Sequence, residues 1–115
     1  MTYEPLSLKP SDPVDRARDL MLAFGIHGIP VIDDGRLLGI VTSHDLVDDW
    51  PPTEPVRNIM SGDVLTIDIR AGLGEAAELM KARLVHHLVV TDGLEPVGVI
   101  TTYDLLDALI GSDRE

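Results

Sequence analysis

The sequence contains one unit twice, and this duplication constrains the fold more than any other feature. The block of residues 39–46 recurs, with conservative replacements, as residues 98–105. Asp45 corresponds to Asp104, an offset of 59 residues, and the same offset holds elsewhere without a gap. Other corresponding pairs are Ala17 and Ala76, Met21 and Met80, His27 and His86, and Val31 and Val90. A repeat of this length indicates two copies of one supersecondary unit.

Each copy is predicted to contain a strand, a helix, a hairpin and a final helix, in the order βαββα. Alternating apolar residues predict the first strands at residues 6–8 and 64–67. Asp-Gly pairs predict the hairpin turns, because glycine adopts a positive φ without steric cost. The predicted hairpin strands are residues 29–33 with 37–41, and residues 88–91 with 96–100. The turn falls one residue earlier in copy two, so its geometry is expected to differ. The final helices are expected to follow Thr42 and Thr101 and to carry Leu46, Leu105 and Leu109.

The first helix of each copy is predicted from its start signals and its apolar stripe. In copy one, Asp12 is the expected N-cap, with Pro13 at the first helical position. In copy two, Gly72 and Gly74 predict a more weakly capped start. The stripes, with apolar residues three or four apart, are Val14, Ala17, Met21 and Phe24 in copy one, and Leu73, Ala76, Ala77, Met80 and Leu84 in copy two.

A Pro-rich connector, residues 50–55, separates the copies and leads into a short apolar run ending at Met60. One copy alone leaves a face of its sheet uncovered, so the two copies are expected to pack about a pseudo-twofold axis. The predicted fold is therefore α/β (α+β), with two βαββα repeats. The expected domains are repeat 1 at 1–50, a linker with a short lead-in helix at 51–60, and repeat 2 at 61–115.

Charge and composition exclude several classes of function. The net charge is −11, and Lys9 and Lys81 are the only lysines. Because phosphate backbones are bound by basic stripes, nucleic acids and anionic membranes are not expected partners. The absence of cysteine excludes disulfides and thiolate metal sites. No apolar run approaches the roughly 20 residues of a membrane span, and no basic region followed by an apolar run begins the chain. The expected location is the cytoplasm.

The motif Thr-x-x-Asp is the most informative candidate for function. It occurs as Thr42 with Asp45 and as Thr101 with Asp104, each time after an apolar strand. One interpretation is a capping box, in which the two side chains satisfy free N–H groups at a helix start. The other is a ligand site, because a crevice at a strand end suits small molecules and a carboxylate suits ribose hydroxyls. The two roles are compatible.

The histidines are the second candidates. His27 and His86 correspond in the two copies, and copy two adds His87. An imidazole there is suited to a phosphate, although a single histidine at a strand start is also commonly a surface or capping residue. A metal site at His86 and His87 is not expected, since neighbours on a strand point to opposite faces.

These features together resemble the CBS domain family, in the tandem arrangement called a Bateman module. The resemblance rests on the Ala-x-x-x-Met pairs of the helices, on residues 27–33 and 86–92, and on the two Gly-x-x-Thr-x-x-Asp-Leu blocks. Residues 56–60 resemble the family's short lead-in helix. Met1 aligns with Met60, so copy one lacks that helix, and the chain is either a minimal module or a piece of a longer one.

The resemblance implies a regulatory module with two ligand clefts and a homodimeric assembly. By position, one cleft uses Ser7, Ile26, His27, Pro30, Thr42 and Asp45. The other uses Thr66, Val85, His86, His87, Val89, Thr101 and Asp104. The implied ligands are AMP, ADP, ATP or S-adenosylmethionine, with no catalytic cofactor. His87 and Gly28 stand where a phosphate-binding relative carries Arg, and cations are few, so AMP is the expected ligand.

Two other hypotheses remain open at this stage. In the first, the chain is a dimerisation or interaction module that binds no small molecule, and both Thr-x-x-Asp motifs are helix caps only. In the second, it is a small enzyme or metal protein centred on His86 and His87. The second is disfavoured, because no common catalytic motif is present. Ser43, His44 and Asp45 are consecutive and project in different directions, so they do not form a triad.

Overall fold

Each repeat is built around an antiparallel hairpin preceded by an α-helix. The structure is a computed structural model, and it describes residues 6–102 and 104–106. The helices are α1 (Val14–Phe24) and α2 (Leu73–Arg83), and the strands are β1 (Gly28–Asp33), β2 (Arg36–Thr42), β3 (Thr66–Asp68), β4 (His87–Asp92) and β5 (Glu95–Thr101). β1 pairs with β2 in one sheet, and β3, β4 and β5 form the other in that order. The predicted mixed fold is confirmed.

The hairpins match the predicted strands and differ at their turns as the sequence predicts. Both carry a bulge at the same repeat position, after Val31 and after Val90. The first turn has positive φ at Asp34 (53°) and Gly35 (75°), which is type I′. In the second turn Gly93 has a φ of 64° and occupies the first central position, as in type II′. A shift of glycine by one residue therefore changes the turn type and keeps the register.

The first strand forms in repeat 2 but is reduced to a single bridge in repeat 1. β3 runs parallel to β4, with flanking bonds from Ile69 N to Thr91 O and from Val89 N to Leu65 O. Pro10 and Pro30 stand at the positions of Ile69 and Val89 in repeat 1, and neither has an N–H to donate. The strand predicted at residues 6–8 is wrong in extent, and Leu8 alone pairs with Val31.

The start of α1 is completed by the connector rather than by a side chain. Pro13 is the N-cap, and no side-chain cap is present, so the predicted cap at Asp12 is wrong. Val14 N donates to Glu54 O at 2.8 Å and Asp15 N to Pro52 O at 3.1 Å. Two of the unsatisfied N–H groups of the first turn are thus bonded to the connector, which removes the need for a capping side chain.

The buried faces of the helices are narrower than the predicted stripes. Val14, Ala17 and Met21 of α1 are buried, as are Ala76 and Met80 of α2. The predicted stripe residues at the helix ends are exposed, with Phe24 54%, Leu73 50% and Leu84 87% accessible; Ala77 is exposed as well. These four residues of the predicted stripes therefore lie outside the core.

The two repeats share a small apolar cluster between their hairpins. Ile40, Val89 and Val99 are buried together, with Leu37 and Val64 packed against them. Ile40 and Val99 correspond at the 59-residue offset, so the same repeat position reaches the cluster from both sides. This is the arrangement that a pseudo-twofold axis produces, and it covers the sheet face that one copy leaves open.

The segment after the hairpin forms turns in repeat 1 and helix in repeat 2. In repeat 1, Asp45 N, Leu46 N and Val47 N donate to carbonyls three residues earlier, which gives successive turns and not the predicted α-helix. In repeat 2 helix is present at Thr102 and at residues 104–106. The predicted continuation to Leu109 lies outside the described residues. The lead-in helix predicted at residues 56–60 is present as a short 3₁₀ turn, Val56–Asn58.

Candidate functional site

Thr42 and Asp45 form a closed hydrogen-bonded pair at the end of β2. Thr42 N donates to Asp45 Oδ2 at 2.8 Å, and Thr42 Oγ1 lies 3.0 Å from the same oxygen. Asp45 N donates in return to Thr42 Oγ1 at 3.3 Å. This reciprocal pattern is a capping box. It holds the carboxylate at the strand end in a fixed orientation.

Repeat 2 reproduces this geometry at Thr101 and Asp104. Thr101 N donates to Asp104 Oδ2 at 2.7 Å, and Thr101 Oγ1 lies 3.2 Å from it. Asp104 N donates to Thr101 Oγ1 at 3.4 Å. Both carboxylates are partly buried. The capping role inferred from the sequence is therefore present in both copies.

Backbone bonds bring a histidine beside each of these pairs. Ser43 N donates to His27 O, and Thr102 N donates to His86 O, each at 3.0 Å. The segment before each hairpin is thereby tied to the residue after the threonine. The side chains of His27 and His86 are exposed, as a residue that contacts a soluble ligand must be.

His87 belongs to repeat 2 but lies close to the carboxylate of repeat 1. Its side chain is half-buried, and this burial is the main reason why the pKa of His87 lies below the usual 6.5. The charge of Asp45 raises the pKa of His87, and the neighbouring His86 lowers it further. An electrostatic effect of Asp45 on His87 requires the two groups to be near each other. The sequence assigned His87 to the cleft of its own repeat, whereas this proximity associates it with Asp45.

The position that corresponds to His87 in repeat 1 is Gly28, where even a Cβ would be tightly packed. A Cβ on Gly28 would lie 3.1 Å from Val99 Cγ1 and 3.5 Å from Ile40 Cδ1. The surroundings of Asp104 therefore receive no imidazole from the other repeat at this position. The alignment of Gly28 with His87 at the 59-residue offset was the sequence signal for this asymmetry.

The remaining predicted ligand residues fall into exposed and buried groups. Ser7 and Thr66 are exposed, Ile26 and Val85 are half-buried, and Pro30 is buried. Val89 is fully buried in the cluster between the repeats. Pro30 and Val89 thus belong to the interior, whereas the other four residues are accessible to solvent.

An open cleft of about 430 Å³ lies in repeat 2, on the helix-bearing face of its sheet. Its lining includes Ile67, Leu73, Ala76 and Ile100, and of the predicted ligand residues Asp104 alone contributes. The cleft therefore adjoins the candidate site at Asp104, and His86 and Thr101 are not part of its lining. Among the described residues no cluster of three or more His, Asp or Glu side chains is suited to a metal ion, and no helix has the length and apolarity of a membrane span.

The chain matches one known protein family at two places. The model of the CBS domain matches residues 1–50 and again residues 56–111. The chain is a pair of CBS domains. The tandem CBS arrangement predicted from the sequence is confirmed.

Relatives carry this CBS pair both alone and within larger proteins. Inosine-5′-monophosphate dehydrogenase of Methanocaldococcus jannaschii is 34% identical over 103 residues, 88% of this chain and 21% of the dehydrogenase. The chain thus spans about a fifth of the length of such relatives. A crystal structure of a CBS domain superposes with a TM-score of 0.83 at 26% identity, covering 94% of this chain and 89% of the other. CBSX2 in complex with AMP superposes with a TM-score of 0.75 at 26% identity, covering 98% and 94%.

Proposed function

We propose that this CBS pair is a regulatory module that binds an adenosine-containing ligand, with AMP preferred, at the junction of its repeats. The observation that carries the proposal is the fixed carboxylate of Asp45 at the end of β2, whose charge acts on His87 of the other repeat. A carboxylate accepts both hydroxyls of a ribose, and an imidazole N–H donates to a phosphate. The AMP complex of CBSX2, a structural relative, supports the same class of ligand.

The capping box supports ligand binding rather than competing with it. Thr42 N and Thr42 Oγ1 both bond to Oδ2 of Asp45, and a carboxylate has about four acceptor sites in all. Oδ1 is therefore available to ribose while Oδ2 holds the turn. A group already fixed in its bound orientation loses less conformational entropy when the ligand arrives.

The two candidate clefts differ, and the Asp45 cleft is the better equipped for a phosphate. His87 supplies an imidazole near Asp45, whereas Gly28 supplies none near Asp104. The net charge of −11, with nine Lys and Arg together, opposes accumulation of a triphosphate. AMP, with a single phosphate, fits this limited positive charge better than ATP. S-adenosylmethionine and ADP are the next candidates, and the proposal assigns no catalytic step to the module.

A homodimer in the cytoplasm is part of the same proposal. Leu22 of α1 is 84% exposed and Phe24 is 54% exposed, which leaves apolar surface on one helix. Burial of that surface against a second copy stabilises a dimer by the hydrophobic effect. Sedimentation of the wild type and of Leu22→Asp tests this part, with a dimer expected for the wild type and a monomer for the variant.

The first test of ligand binding is the release of a bound chromophore. Denatured protein is filtered, and the filtrate is examined at 260 nm and by mass spectrometry. Thermal unfolding is then followed with AMP, ADP, ATP, NAD and S-adenosylmethionine. A rise in Tm with AMP is expected, because a ligand that binds only the folded state stabilises it.

The variants Asp45→Asn and Asp45→Ala separate ligand binding from capping. Asn keeps an acceptor for Thr42 N but removes the charge, whereas Ala removes both. The proposal expects Asn to unfold at nearly the wild-type Tm without ligand and to lose most of the AMP-induced rise. An equal AMP-induced rise in all three proteins would place AMP binding away from Asp45, and no rise in any of them would favour a ligand-free interaction module.

A further inference from the structure

The segment that follows the capping box of repeat 1 is held by side chains from two other parts of the chain. This segment, residues 45–48, is here called the Asp45 turn. Its first three N–H groups donate to carbonyls three residues earlier, so it forms turns rather than an α-helix. A partly buried carbonyl needs a donor, and the carbonyls of Asp45 and Leu46 accept from side chains.

Trp50 supplies the donor for Asp45. Its indole Nε1 donates to the carbonyl oxygen of Asp45 at 3.0 Å, and its side chain is half-buried. Because an indole is a donor only, this bond occupies the hydrogen-bonding capacity of the ring. Trp50 is also the first residue of the connector and the only tryptophan of the sequence. The connector therefore begins with a bond to the residue that carries the candidate carboxylate.

Arg18 of α1 supplies the donors for the rest of the turn. Its Nη2 donates to Leu46 O at 3.1 Å and to Asp48 O at 3.3 Å. The side chain is half-buried, and a guanidinium is planar, with its donors in a fixed arrangement. One arginine therefore bonds two carbonyls of the Asp45 turn to the helix.

The Asp45 turn, the connector and α1 are each bonded to the other two. At the start of α1, Val14 N and Asp15 N donate to connector carbonyls. Trp50 bonds the connector to the turn, and Arg18 bonds the helix to the turn. The turn therefore cannot move without breaking hydrogen bonds to one of its neighbours. The capping box orients the carboxylate, and these further bonds hold the backbone from which it projects.

Repeat 2 has an alanine in place of this arginine. Ala77 stands at the position of Arg18 at the 59-residue offset, and its side chain has no donor. The capping box of Thr101 and Asp104 forms there with the same geometry, and helix at residues 104–106 continues the segment. The arginine therefore distinguishes the Asp45 cleft, which is the cleft that the proposed function favours.

We propose that Arg18 and Trp50 are positioning residues for the Asp45 carboxylate. They hold the Asp45 turn in one conformation before a ligand arrives, so less conformational entropy is lost on binding. Each acts through the backbone of the turn and not by contact with the ligand. Their role in ligand binding rests on the proposed function, whereas the ordering of the turn is measurable in the free protein.

The test uses two variants that remove donors and one matched control. Arg18→Met keeps a long side chain without its donors, and Trp50→Phe keeps an aromatic ring without the N–H. The control is Arg16→Met, which makes the same change of charge on α1 at an exposed side chain that pairs with Asp12. Because Trp50 is the only tryptophan, its fluorescence reports on this region alone. Arg18→Met is expected to shift the emission to longer wavelength, since a looser turn hydrates the indole, and Arg16→Met is expected to leave it unchanged.

Hydrogen exchange at the amide of Thr42 measures the order of the capping box directly. This amide donates to Asp45 Oδ2, and the amide of Thr101 donates in the same way to Asp104 Oδ2 in repeat 2. Arg18→Met and Trp50→Phe are each expected to accelerate exchange at Thr42 by about fivefold or more, the equivalent of one hydrogen bond. Exchange at Thr101 is expected to stay unchanged. Calorimetry is expected to show AMP affinity lowered by about fivefold in both variants and unchanged in Arg16→Met.

The outcomes separate this role from a general effect on stability and from the proposed ligand. Unchanged exchange at Thr42 overturns the proposal, and so does equal acceleration at Thr42 and Thr101, which would mean a general loss of stability. Unchanged AMP affinity despite faster exchange at Thr42 overturns the role in binding. If the wild type binds no AMP, the proposed function fails, while selective acceleration at Thr42 still supports the positioning of Asp45.

Discussion

The imidazole of His87 and the carboxylate of Asp45 come from different repeats, yet they lie close enough for the charge of Asp45 to raise the pKa of His87. Each of these two side chains is also affected by a second factor. Asp45 is fixed by the capping box with Thr42, and His87 is half-buried, so that desolvation is the larger influence and its pKa falls overall. Asp45 follows the end of β2 in repeat 1 and His87 is the first residue of β4 in repeat 2, so this electrostatic interaction links the two repeats. In the proposed function, a phosphate bound between the repeats would contact the imidazole and a ribose would contact the carboxylate.

The lowered pKa of His87 predicts a loss of stability on the acid side of neutrality. Below about pH 6.5 the unfolded chain protonates at His87 more readily than the folded protein. The unfolded state then binds more protons, so the free energy of unfolding falls as pH falls through this range, down to the folded pKa. In His87→Asn this contribution is absent. Urea unfolding between pH 7.5 and 5.5 measures it, and parallel curves for the two proteins would contradict the lowered pKa.

Replacement of His87 by Arg is expected to strengthen the binding of AMP. A guanidinium is always charged and forms paired hydrogen bonds with phosphate. A gain of about tenfold in affinity corresponds to one charged hydrogen bond. Adenosine is the control ligand, because it lacks the phosphate and its affinity should not change. Calorimetry with both ligands gives the ratio, and an equal gain for adenosine would place His87 away from the phosphate.

Leu84 ends α2 in the left-handed conformation, with a φ of 56°, where its counterpart Gly25 ends α1 with a φ of 61°. A side chain in this region is strained, and Leu84 is 87% exposed, so little packing is lost on its removal. Leu84→Gly is expected to raise the free energy of unfolding by about 0.5–1 kcal/mol. The matched reverse change, Gly25→Ala, is expected to lower it by about 1 kcal/mol. Chemical denaturation measures both, and a destabilised Leu84→Gly would show that its side chain matters to packing.

Gly39 is required by the close approach of Met60 and Ser61 to β2. A Cβ at this position would lie 2.6 Å from Ser61 O and 2.9 Å from Met60 Sδ, beside the pairing of Ile40 with Ser61. Gly39→Ala is expected to destabilise the protein by about 2 kcal/mol, since a backbone atom has to move. Gly62→Ala is the control, because its Cβ would meet only Leu38 O at 3.9 Å. Thermal unfolding of both variants checks this, and equal Tm values would argue against the close approach.

Local sequence patterns predicted most of the fold because each pattern reflects a physical preference of its own residues. The duplication gave the repeated unit, and the Asp-Gly turns placed both hairpins. The failures have non-local causes. The strand at residues 6–8 is cut short because Pro10 and Pro30 cannot donate where Ile69 and Val89 do.

The start of α1 is a second feature that was predicted wrongly for a non-local reason. The sequence pointed to a side-chain cap at Asp12, but connector carbonyls some 40 residues away satisfy the helix start. In the candidate site, the Thr-x-x-Asp pairs could be identified from the sequence because their two residues are only three positions apart. The proximity of His87 to Asp45 was not, because it depends on how one repeat packs on the other.

The most direct measurement is calorimetric titration of AMP into the wild type, Asp45→Asn and Asp104→Asn. The account predicts saturable binding to the wild type, with a loss of about tenfold or more in Asp45→Asn at nearly unchanged Tm. Asp104→Asn is expected to have a smaller effect, since Gly28 provides that cleft with no imidazole from the other repeat. Binding of equal strength to the wild type and Asp45→Asn, or no binding to the wild type, would contradict the account.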